Sequence, residues 1–389
     1  MNSPGSHDGP RVSDTGERAL IERIRRRVPP APPGLLVGIG DDAAVAAPDR
    51  GALQVLTTDA LVEGVHFDRR FSSFADIGYK ALAVNISDVA SMGGAPRFAL
   101  LSLMLPPDTP LADVDSLLDG LLALAASERI ALAGGNITRS PSIFPSPWLP
   151  PSGGSSILRE PQGRPERSRG TTPSGQAPGP LVVDVTVVGS VKPRKILTRG
   201  GAHAGDALYV TGQLGAAATG LGWLRAQAET GTVTSDGRVP RPDDPALAEC
   251  VARHCRPEPR ARIGALLGRN RAASACMDLS DGLADAVAQI SCASGTGAAI
   301  DASLLPLHPG ARAWFAASGL DPVDACVAGG DDYELLFAVP RRLRGRLRSV
   351  VREARGVPVT CIGELTTDRS VGIVRDGELQ PLPSGFVHF

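Results

Sequence analysis

The sequence predicts an α/β or α+β fold in two domains. A chain of 389 residues is long enough for two domains, each with its own hydrophobic core. Segments with helical periodicity alternate with short apolar runs of strand length, which is typical of sheets covered by helices. Many of these runs end in glycine and aspartate, as strands do where they lead into ligand-binding loops. We predict a flexible N-terminus (1–13), an N-terminal domain (14–192) and a C-terminal domain (193–389).

The N-terminal half alternates between helices and strands. Leu20, Ile24 and Val28 recur every fourth residue and predict an amphipathic first helix. A buried strand is predicted over 53–56, and it ends directly before two threonines and an aspartate. The further elements are, in chain order, a helix over 75–92 that two glycines close, a strand over 97–105, a helix over 114–126, a strand over 130–133 and a strand over 181–191.

Residues 141–180 interrupt this alternation. They are rich in proline, glycine and serine and contain little periodic apolar sequence. Such a segment cannot bury enough apolar surface to offset the entropy lost on ordering. We therefore predict a disordered insertion within a hairpin formed by the strands on either side.

The C-terminal half resumes the alternation. A short strand over 274–277 and a helix from Leu283 flank a motif with two aspartates. Two glycines and two aspartates precede a strand over 333–339, and Asp376-Gly377 predicts a late hairpin. The remaining predicted elements are a strand over 208–211 and helices over 214–228, 245–254 and 343–355.

Composition excludes several classes of function. The formal net charge is −1, so no overall field attracts nucleic acid or an anionic membrane. No apolar run approaches the roughly 20 residues that a membrane-spanning helix needs, and the N-terminus lacks the apolar core of a signal peptide. The six cysteines form no C-x-x-C pair, and several lie in apolar segments as reduced thiols do. We expect a cytoplasmic protein that binds neither nucleic acid nor membrane.

Eight aspartates follow or interrupt apolar segments, and most stand beside glycine or in pairs. Alone, each could be a helix cap or turn residue, which is the default explanation for a single aspartate beside glycine. Gathered in one site, so many carboxylates would repel one another unless metal ions lay between them. Their hard oxygen ligands favour Mg²⁺ over Zn²⁺. The eight are Asp41, Asp42, Asp59, Asp88, Asp278, Asp281, Asp331 and Asp332.

Several Mg²⁺ ions in one carboxylate cluster indicate a polyphosphate ligand, because Mg²⁺ completes its coordination with phosphate oxygens and water. No G-x-x-x-x-G-K-[ST] motif occurs, which excludes a P-loop mechanism. The protein-kinase motifs H-R-D and D-F-G are also absent. The residues alone therefore favour a Mg²⁺-dependent, ATP-using enzyme on another fold.

A series of motifs, taken together and in order, resembles thiamine-monophosphate kinases. In the N-terminal half these are Gly38-Ile39-Gly40-Asp41-Asp42, Thr57-Thr58-Asp59, Gly64-Val65-His66-Phe67, the segment from Tyr79 to Asp88, and Met92-Gly93-Gly94. In the C-terminal half they are Leu197-Thr198-Arg199, Asp278-Leu279-Ser280-Asp281-Gly282 and the segment from Gly329 to Leu335. The resemblance omits only the insertion and the N-terminus.

The resemblance implies the two-domain fold of the aminoimidazole-ribonucleotide-synthetase-like superfamily, with homodimerisation through the N-terminal sheet. It also implies ATP-dependent phosphorylation of thiamine monophosphate to thiamine diphosphate by direct in-line transfer. Several Mg²⁺ ions are implied, and a monovalent-cation requirement stays open. The implied Mg²⁺ ligands are Asp42, Thr57, Thr58, Asp59, Asp88, Asn136, Asp278 and Asp281. The implied ATP contacts are Gly135, Asn136, Arg199 and Ser280, and the implied thiamine-phosphate contacts are His66, Asp331 and Phe386.

Two residues depart from the family pattern. Asn136 stands where the family usually carries a metal-binding Asp, so an oxygen is kept but its charge is lost. Asp331 is often Glu in the family and is one methylene shorter here. The insertion begins five residues after Asn136, beside the expected site. Two alternatives stay open: a degenerate nucleotide-binding protein without turnover, and another superfamily enzyme such as selenophosphate synthetase, although no cysteine precedes Cys250.

Overall fold

The computed structural model describes residues 9–141, 179–231, 233–234 and 238–384. Three predicted features lie outside these residues, wholly or for the most part. They are the flexible N-terminus, the insertion and Phe386. The predictions made for those segments therefore remain predictions.

The first sheet is built from strands of the N-terminal half. The strands are β1 (Leu35–Val37), β2 (Val45–Ala46), β3 (Leu53–Val62), β4 (Ala95–Leu105), β5 (Ala131–Arg139) and β6 (Val182–Val191). β1 and β2 pair with each other, and the other four form a sheet in the order β3-β6-β4-β5. β4 and β5 are parallel, whereas β6 is antiparallel to both β3 and β4.

This strand order corrects the predicted hairpin around the insertion. β6 lies between β3 and β4, and β5 lies at the far edge of the sheet. The two strands that flank the insertion are therefore separated by β4 and do not pair with each other. A hairpin was the simplest connection, but β6 has β3 and β4 as its neighbours.

β3 is longer and more exposed than the sequence predicts. It does not end at Leu56 but continues through Asp59 to Val62. Leu53 and Leu56 are 47% and 67% exposed, so the strand is not buried. The physical reason is that β3 is an edge strand and that Leu56 lies on the face of the sheet turned away from α3. We call this the open face; Leu56, Thr58 and Ala60 lie on it.

Helices cover the opposite face of this sheet. They are α1 (Val12–Thr15), α2 (Glu17–Arg27), α3 (Phe74–Ser91) and α4 (Leu111–Glu128). The predicted first helix is divided at Gly16, although Leu20 and Ile24 are buried as predicted. α3 begins at a capping box in which the Ser73 hydroxyl accepts from the Asp76 amide at 3.0 Å. Nearly all of α3 is buried, because it packs on the sheet, on α4 and on the second domain.

The second sheet has seven strands in the order β13-β12-β9-β11-β7-β10-β8, all antiparallel except β12 with β9. The strands are β7 (Ala207–Thr211), β8 (Ala275–Asp278), β9 (Gly297–Asp301), β10 (Leu335–Val339), β11 (Val359–Thr366), β12 (Val371–Arg375) and β13 (Glu378–Pro381). The helices are α5 (Ala216–Thr230), α6 (Pro245–Cys255), α7 (Ala261–Asn270), α8 (Leu283–Ser294), α9 (Pro309–Ala317), α10 (Pro322–Ala328) and α11 (Arg344–Glu353). The predicted hairpin at Asp376-Gly377 is confirmed: it joins β12 to β13.

α3 and α7 bring the two sheets together. A Cβ atom on Gly264 of α7 would lie 2.1 Å from the carbonyl oxygen of Ala90, so this approach needs glycine. The contact holds the C-terminal end of α3 against the second domain. Across the same boundary, the loops next to β8 and β10 face α3. Within the described residues, no helix is long and apolar enough to cross a membrane.

Candidate active site

A cavity of about 340 Å³ lies between the two domains. β3 and α3 form one wall, the loops next to β8 and β10 form the opposite wall, and α5 and α6 close a further side. The fold thus gathers residues from distant parts of the chain. The predicted site residues that line this cavity are Asp59, His66, Asp88, Asp278, Ser280, Asp281 and Asp331.

Strand alternation explains why Asp59 meets Asp88. Successive side chains of a strand point to opposite faces, so Thr57, Asp59 and Leu61 share the face of β3 that is turned towards α3. The Thr57 hydroxyl donates a hydrogen bond to Asp88 on α3, with 2.5 Å between the oxygens. Thr57 therefore holds the Asp88 carboxylate at the cavity wall.

Asp278 lies deeper, at the end of β8. It is 3% exposed, and the Ser87 hydroxyl donates to its Oδ2 at 2.7 Å. Ser87 and Asp88 are neighbours on α3, so one turn of this helix carries a carboxylate of the first domain and contacts a carboxylate of the second. β8 and β10 pair directly at this point, with Asp278 opposite Leu335.

Asp59 and Asp278, two carboxylates of this cavity, have raised pKa values. Burial raises the pKa of Asp59 to about 6, and the neighbouring charges of Asp88, Asp184 and Asp281 raise it further. Burial, followed by the charge of Asp88, raises the pKa of Asp278 to about 7. A cation that enters this cavity would relieve the repulsion and displace protons.

Asp331 differs from the other carboxylates because it has a cationic partner. Lys80 of α3, only 3% exposed, donates from Nζ to Asp331 Oδ2 at 2.8 Å. The Tyr333 hydroxyl donates to Oδ1 at 3.2 Å, and His254 Nδ1 lies 3.6 Å from Oδ2. Burial raises the pKa of Asp331, but the Lys80 charge, the nearby His254 and the hydrogen bonds from Lys80 and Tyr333 together outweigh it and hold the pKa below its ordinary value. Asp331 is therefore an ionised carboxylate with a fixed orientation.

The loop that carries Asp331 is tied to the neighbouring motif. The Asp331 amide donates to the Ser280 carbonyl at 2.7 Å, and the Tyr333 amide donates to the Leu279 carbonyl at 3.0 Å. On the other wall, the Val62 amide donates to His66 Nδ1 at 3.1 Å, which leaves the proton of a neutral ring on Nε2. Backbone contacts thus set the positions of both predicted substrate residues.

A second cavity, of about 970 Å³, lies on the open face of the N-terminal sheet. Gly135 leaves room for close backbone packing at its wall, since a Cβ atom there would lie 1.8 Å from the Leu101 carbonyl oxygen. On the same face, the Thr58 hydroxyl lies 3.0 Å from Asp184 Oδ1 and 2.9 Å from the Thr186 hydroxyl. The polar and glycine residues that line this cavity include Asp41, Asp42, Ser102, Gly134, Gly135, Asn136, Asp184 and Thr186.

Six of the eight predicted Mg²⁺ ligands line one of the two cavities, namely Asp59, Asp88, Asp278 and Asp281 at the inter-domain cavity and Asp42 and Asn136 at the open-face cavity. Thr57, Asp59 and Asp88 lie on the helix-covered side of the sheet, whereas Thr58 and Asn136 lie on the open face. Among the described residues, no three His, Cys, Asp or Glu side chains are close enough to hold an ion by themselves. Both cavities nevertheless offer hard oxygen ligands, and Mg²⁺ is commonly held by one or two carboxylates together with phosphate oxygens. The side chains present fit such an ion.

Arg199, a predicted ATP contact, lines neither cavity. Its exposed guanidinium donates to the Gln289 side chain at 2.5 Å. Its charge nevertheless acts on the site, because it opposes the rise in the pKa of Asp88 that burial causes. Phe386 lies outside the described residues.

Sequence reasoning did not select three polar residues that the structure places at these sites. Lys80 and His254 contact Asp331 from α3 and α6, and Asp184 lies in the middle of β6. The sequence contained a hint of a functional role for Lys80, since it is one of three lysines in the chain and stands in an apolar helix. The sequence contained a similar hint for Asp184, because it is a carboxylate within a strand of valines. His254 had no comparable signal.

Models of two related domains match the chain. The N-terminal domain of AIR synthase related proteins matches residues 40–148, and the C-terminal domain of the same proteins matches residues 203–376. The predicted two-domain α/β fold is thereby confirmed.

Relatives that match nearly the full length of the chain identify the family more closely. Thiamine-monophosphate kinase of Escherichia coli K12 is 36% identical over 380 residues, which cover 96% of this chain and 98% of that protein. The crystal structure of thiamine-monophosphate kinase from Stenotrophomonas maltophilia K279a is 32% identical, with a TM-score of 0.72 over 93% of this chain and 96% of that one. AaThiL complexed with AMPPCP and TMP is 27% identical, with a TM-score of 0.67 over 98% of this chain and 100% of that one. This chain belongs to the thiamine-monophosphate kinase family.

Proposed function

We propose that this protein transfers the γ-phosphoryl group of ATP to thiamine monophosphate, giving thiamine diphosphate and ADP. The observation that carries the proposal is the inter-domain cavity, where carboxylates from both domains meet in a chain related over its full length to thiamine-monophosphate kinases. A related protein, AaThiL, is complexed with AMPPCP and TMP, an ATP analogue together with a second ligand. We place the domain boundary at residues 192–193, so that each domain contributes one wall.

Mg²⁺ is part of this proposal. Asp59, Asp88, Asp278 and Asp281 would hold it at the inter-domain cavity, and Asp42, Thr58 and Asn136 would do so at the open face. When bound, it supplies charge neutralisation between carboxylates and phosphates, which is the main requirement of phosphoryl transfer. The raised pKa values of Asp59 and Asp278 support this assignment, because they reflect carboxylates that are buried close to one another without a counter-charge.

The chain need not supply a general base. The attacking group is a phosphate monoester whose second pKa is about 6, so it is already largely dianionic at neutral pH. The protein residues therefore orient the reactants and exclude water rather than remove a proton. Asp331 is suited to face the cationic thiazolium ring, since Lys80 fixes one of its oxygens and a third of its side chain stays exposed.

We also propose a homodimer formed through the open face of the N-terminal sheet. Leu56 is exposed there, and the edge of β3 offers unpaired backbone groups. Analytical ultracentrifugation of Leu56→Glu tests the proposal: the variant is expected to sediment as a monomer under conditions where the wild type is a dimer. A wild-type monomer at micromolar concentration would contradict it.

The activity is tested with Mg-ATP and thiamine monophosphate, with thiamine diphosphate and ADP quantified separately. We expect the two products in equal amounts, no product with thiamine as acceptor, and a loss of at least about 100-fold in Asp278→Asn. Asp108→Asn, at an exposed aspartate that lines neither cavity, is the matched control. Binding of both reactants without product would overturn the proposal and favour the degenerate nucleotide-binding alternative.

A further inference from the structure

A row of paired residues crosses the N-terminal sheet at the open-face cavity. Ala60 of β3 pairs with Asp184 of β6, Asp184 pairs with Ser102 of β4, and Ser102 pairs with Asn136 of β5. Directly paired residues of neighbouring strands present their side chains on the same face. Ser102, Asn136 and Asp184 accordingly line one cavity.

The alternation along β6 shows that Asp184 belongs to this face and not to the core. Val183, Val185 and Val187 are fully buried against the helices, whereas Asp184 and Thr186 are half-buried on the open side. Neighbouring strands lie about 4.8 Å apart, so Asp184 and Asn136, two strands apart, are separated by about 10 Å at their Cα atoms. The small side chain of Ser102 lies between them and leaves the space above the row open.

Asp184 is a carboxylate without a cationic partner among the described residues. Its contact there is the Thr58 hydroxyl, 3.0 Å from Oδ1, and no lysine or arginine of the described chain forms an ion pair with it. A half-buried carboxylate without a counter-charge is unfavourable unless a cation occupies the site. The charge of Asp184 also reaches Asp59, whose pKa it helps to raise.

Asn136 lies at the other end of this row. Its side chain offers an amide oxygen and carries no charge. The resemblance to the family leads one to expect a metal-binding carboxylate at this position. We propose that Asp184, in addition to Asp42, is a carboxylate that binds the divalent cation of Mg-ATP on the open face, and that it takes over the charge absent at Asn136. The inference rests on the proposed function only in assuming that Mg-ATP binds at this face.

A purely structural role for Asp184 would lead to a different experimental result from a role in cation binding. If the carboxylate only accepts the hydrogen bond from Thr58, the isosteric Asp184→Asn variant keeps that bond through its amide oxygen and should behave like the wild type. If the charge binds a cation, the same variant loses affinity for the cation while its fold is preserved.

The experiment measures the binding of Mn²⁺, as a spectroscopic substitute for Mg²⁺, by electron paramagnetic resonance in the presence of AMPPCP and the absence of any acceptor. Asp184→Asn is expected to weaken Mn²⁺ binding by about 10–100-fold. Asn136→Asp in that background returns the carboxylate to the other end of the row and is expected to restore most of the affinity. Asp108→Asn is again the control and should match the wild type.

Further measurements separate folding and catalysis from cation binding. Metal-free Asp184→Asn should melt at or above the wild-type temperature, because a repelling charge is removed. If it did not fold, Asn136→Asp alone would take its place and is expected to tighten Mn²⁺ binding. Unchanged Mn²⁺ binding in Asp184→Asn, or a loss that Asn136→Asp leaves uncorrected, would overturn the proposal. A protein that shows the expected Mn²⁺ results yet makes no thiamine diphosphate would refute only the proposed function.

Discussion

The ion pair between Lys80 and Asp331 joins the two domains at the cavity, so its loss should lower the stability of the protein measurably. Lys80 is buried in α3 with a side chain 4% exposed, whereas the Asp331 side chain is 33% exposed. Replacing Lys80 by methionine keeps the volume of the aliphatic chain and removes the charge. Asp331 would then keep Tyr333 as a donor, and His254 could not replace the cation, because burial lowers the pKa of His254 to about 3.

The expected loss of unfolding free energy in Lys80→Met follows from the burial of the two side chains. Removing one partner of a fully buried ion pair costs about 3–5 kcal/mol, because the other charge is left uncompensated. One third of Asp331 still faces the cavity and its solvent, so we reduce the expected loss for Lys80→Met to about 2–3 kcal/mol at pH 7. Lys80→Met combined with Asp331→Asn should cost less than Lys80→Met alone, since no charge is then left unpaired.

The pH dependence has a definite sign. The pKa of Asp331 is lowered in the folded protein, so the pair contributes stability above the unfolded pKa and loses it as pH falls through the folded pKa. The difference between wild type and Lys80→Met should therefore be full at pH 7 and shrink at strongly acid pH. Urea unfolding at both pH values measures it. A loss under about 0.5 kcal/mol at pH 7, or no coupling in the double variant, would refute the reasoning.

Two further predictions concern the carboxylates and the domain contact. The pKa values of Asp59 and Asp278 are raised to about 6 and about 7 in the metal-free protein, so its unfolding free energy should fall as pH rises from about 4 to about 7. Thermal melting across this range should show the fall, and Asp59→Asn should flatten it; a wild-type profile that rises would contradict the assignment. Gly264→Ala places a Cβ atom 2.1 Å from the Ala90 carbonyl oxygen and should cost about 1–3 kcal/mol in urea unfolding. It should also slow turnover, because α3 carries Asp88, and a fully stable and active variant would show that the helices can separate freely.

Local patterns predicted most of the regular elements. The buried helix α3, the alternating strand β6 and the hairpin at Asp376-Gly377 carry strong periodic or turn signals, and the structure contains all three. Elements with weaker signals were not predicted, among them α7 and β9. α7 matters for the site, since its Gly264 contact holds α3 in place. Nothing in the segment itself indicates that contact, which depends on the partner helix.

The sequence alone determined which chemistry is available: aspartates and threonines beside glycine, few lysines, and the ordered motifs of a kinase family. It could not determine which of these side chains share a cavity. Thr57 and Thr58 are neighbours in sequence, yet they lie on opposite faces of the sheet because β3 continues through them. Asp184 and Asn136 are 48 positions apart, yet they share a row because strand pairing is set by the sheet as a whole. Only tertiary structure decides such proximity, because it depends on strand order and register, which no local run of residues specifies.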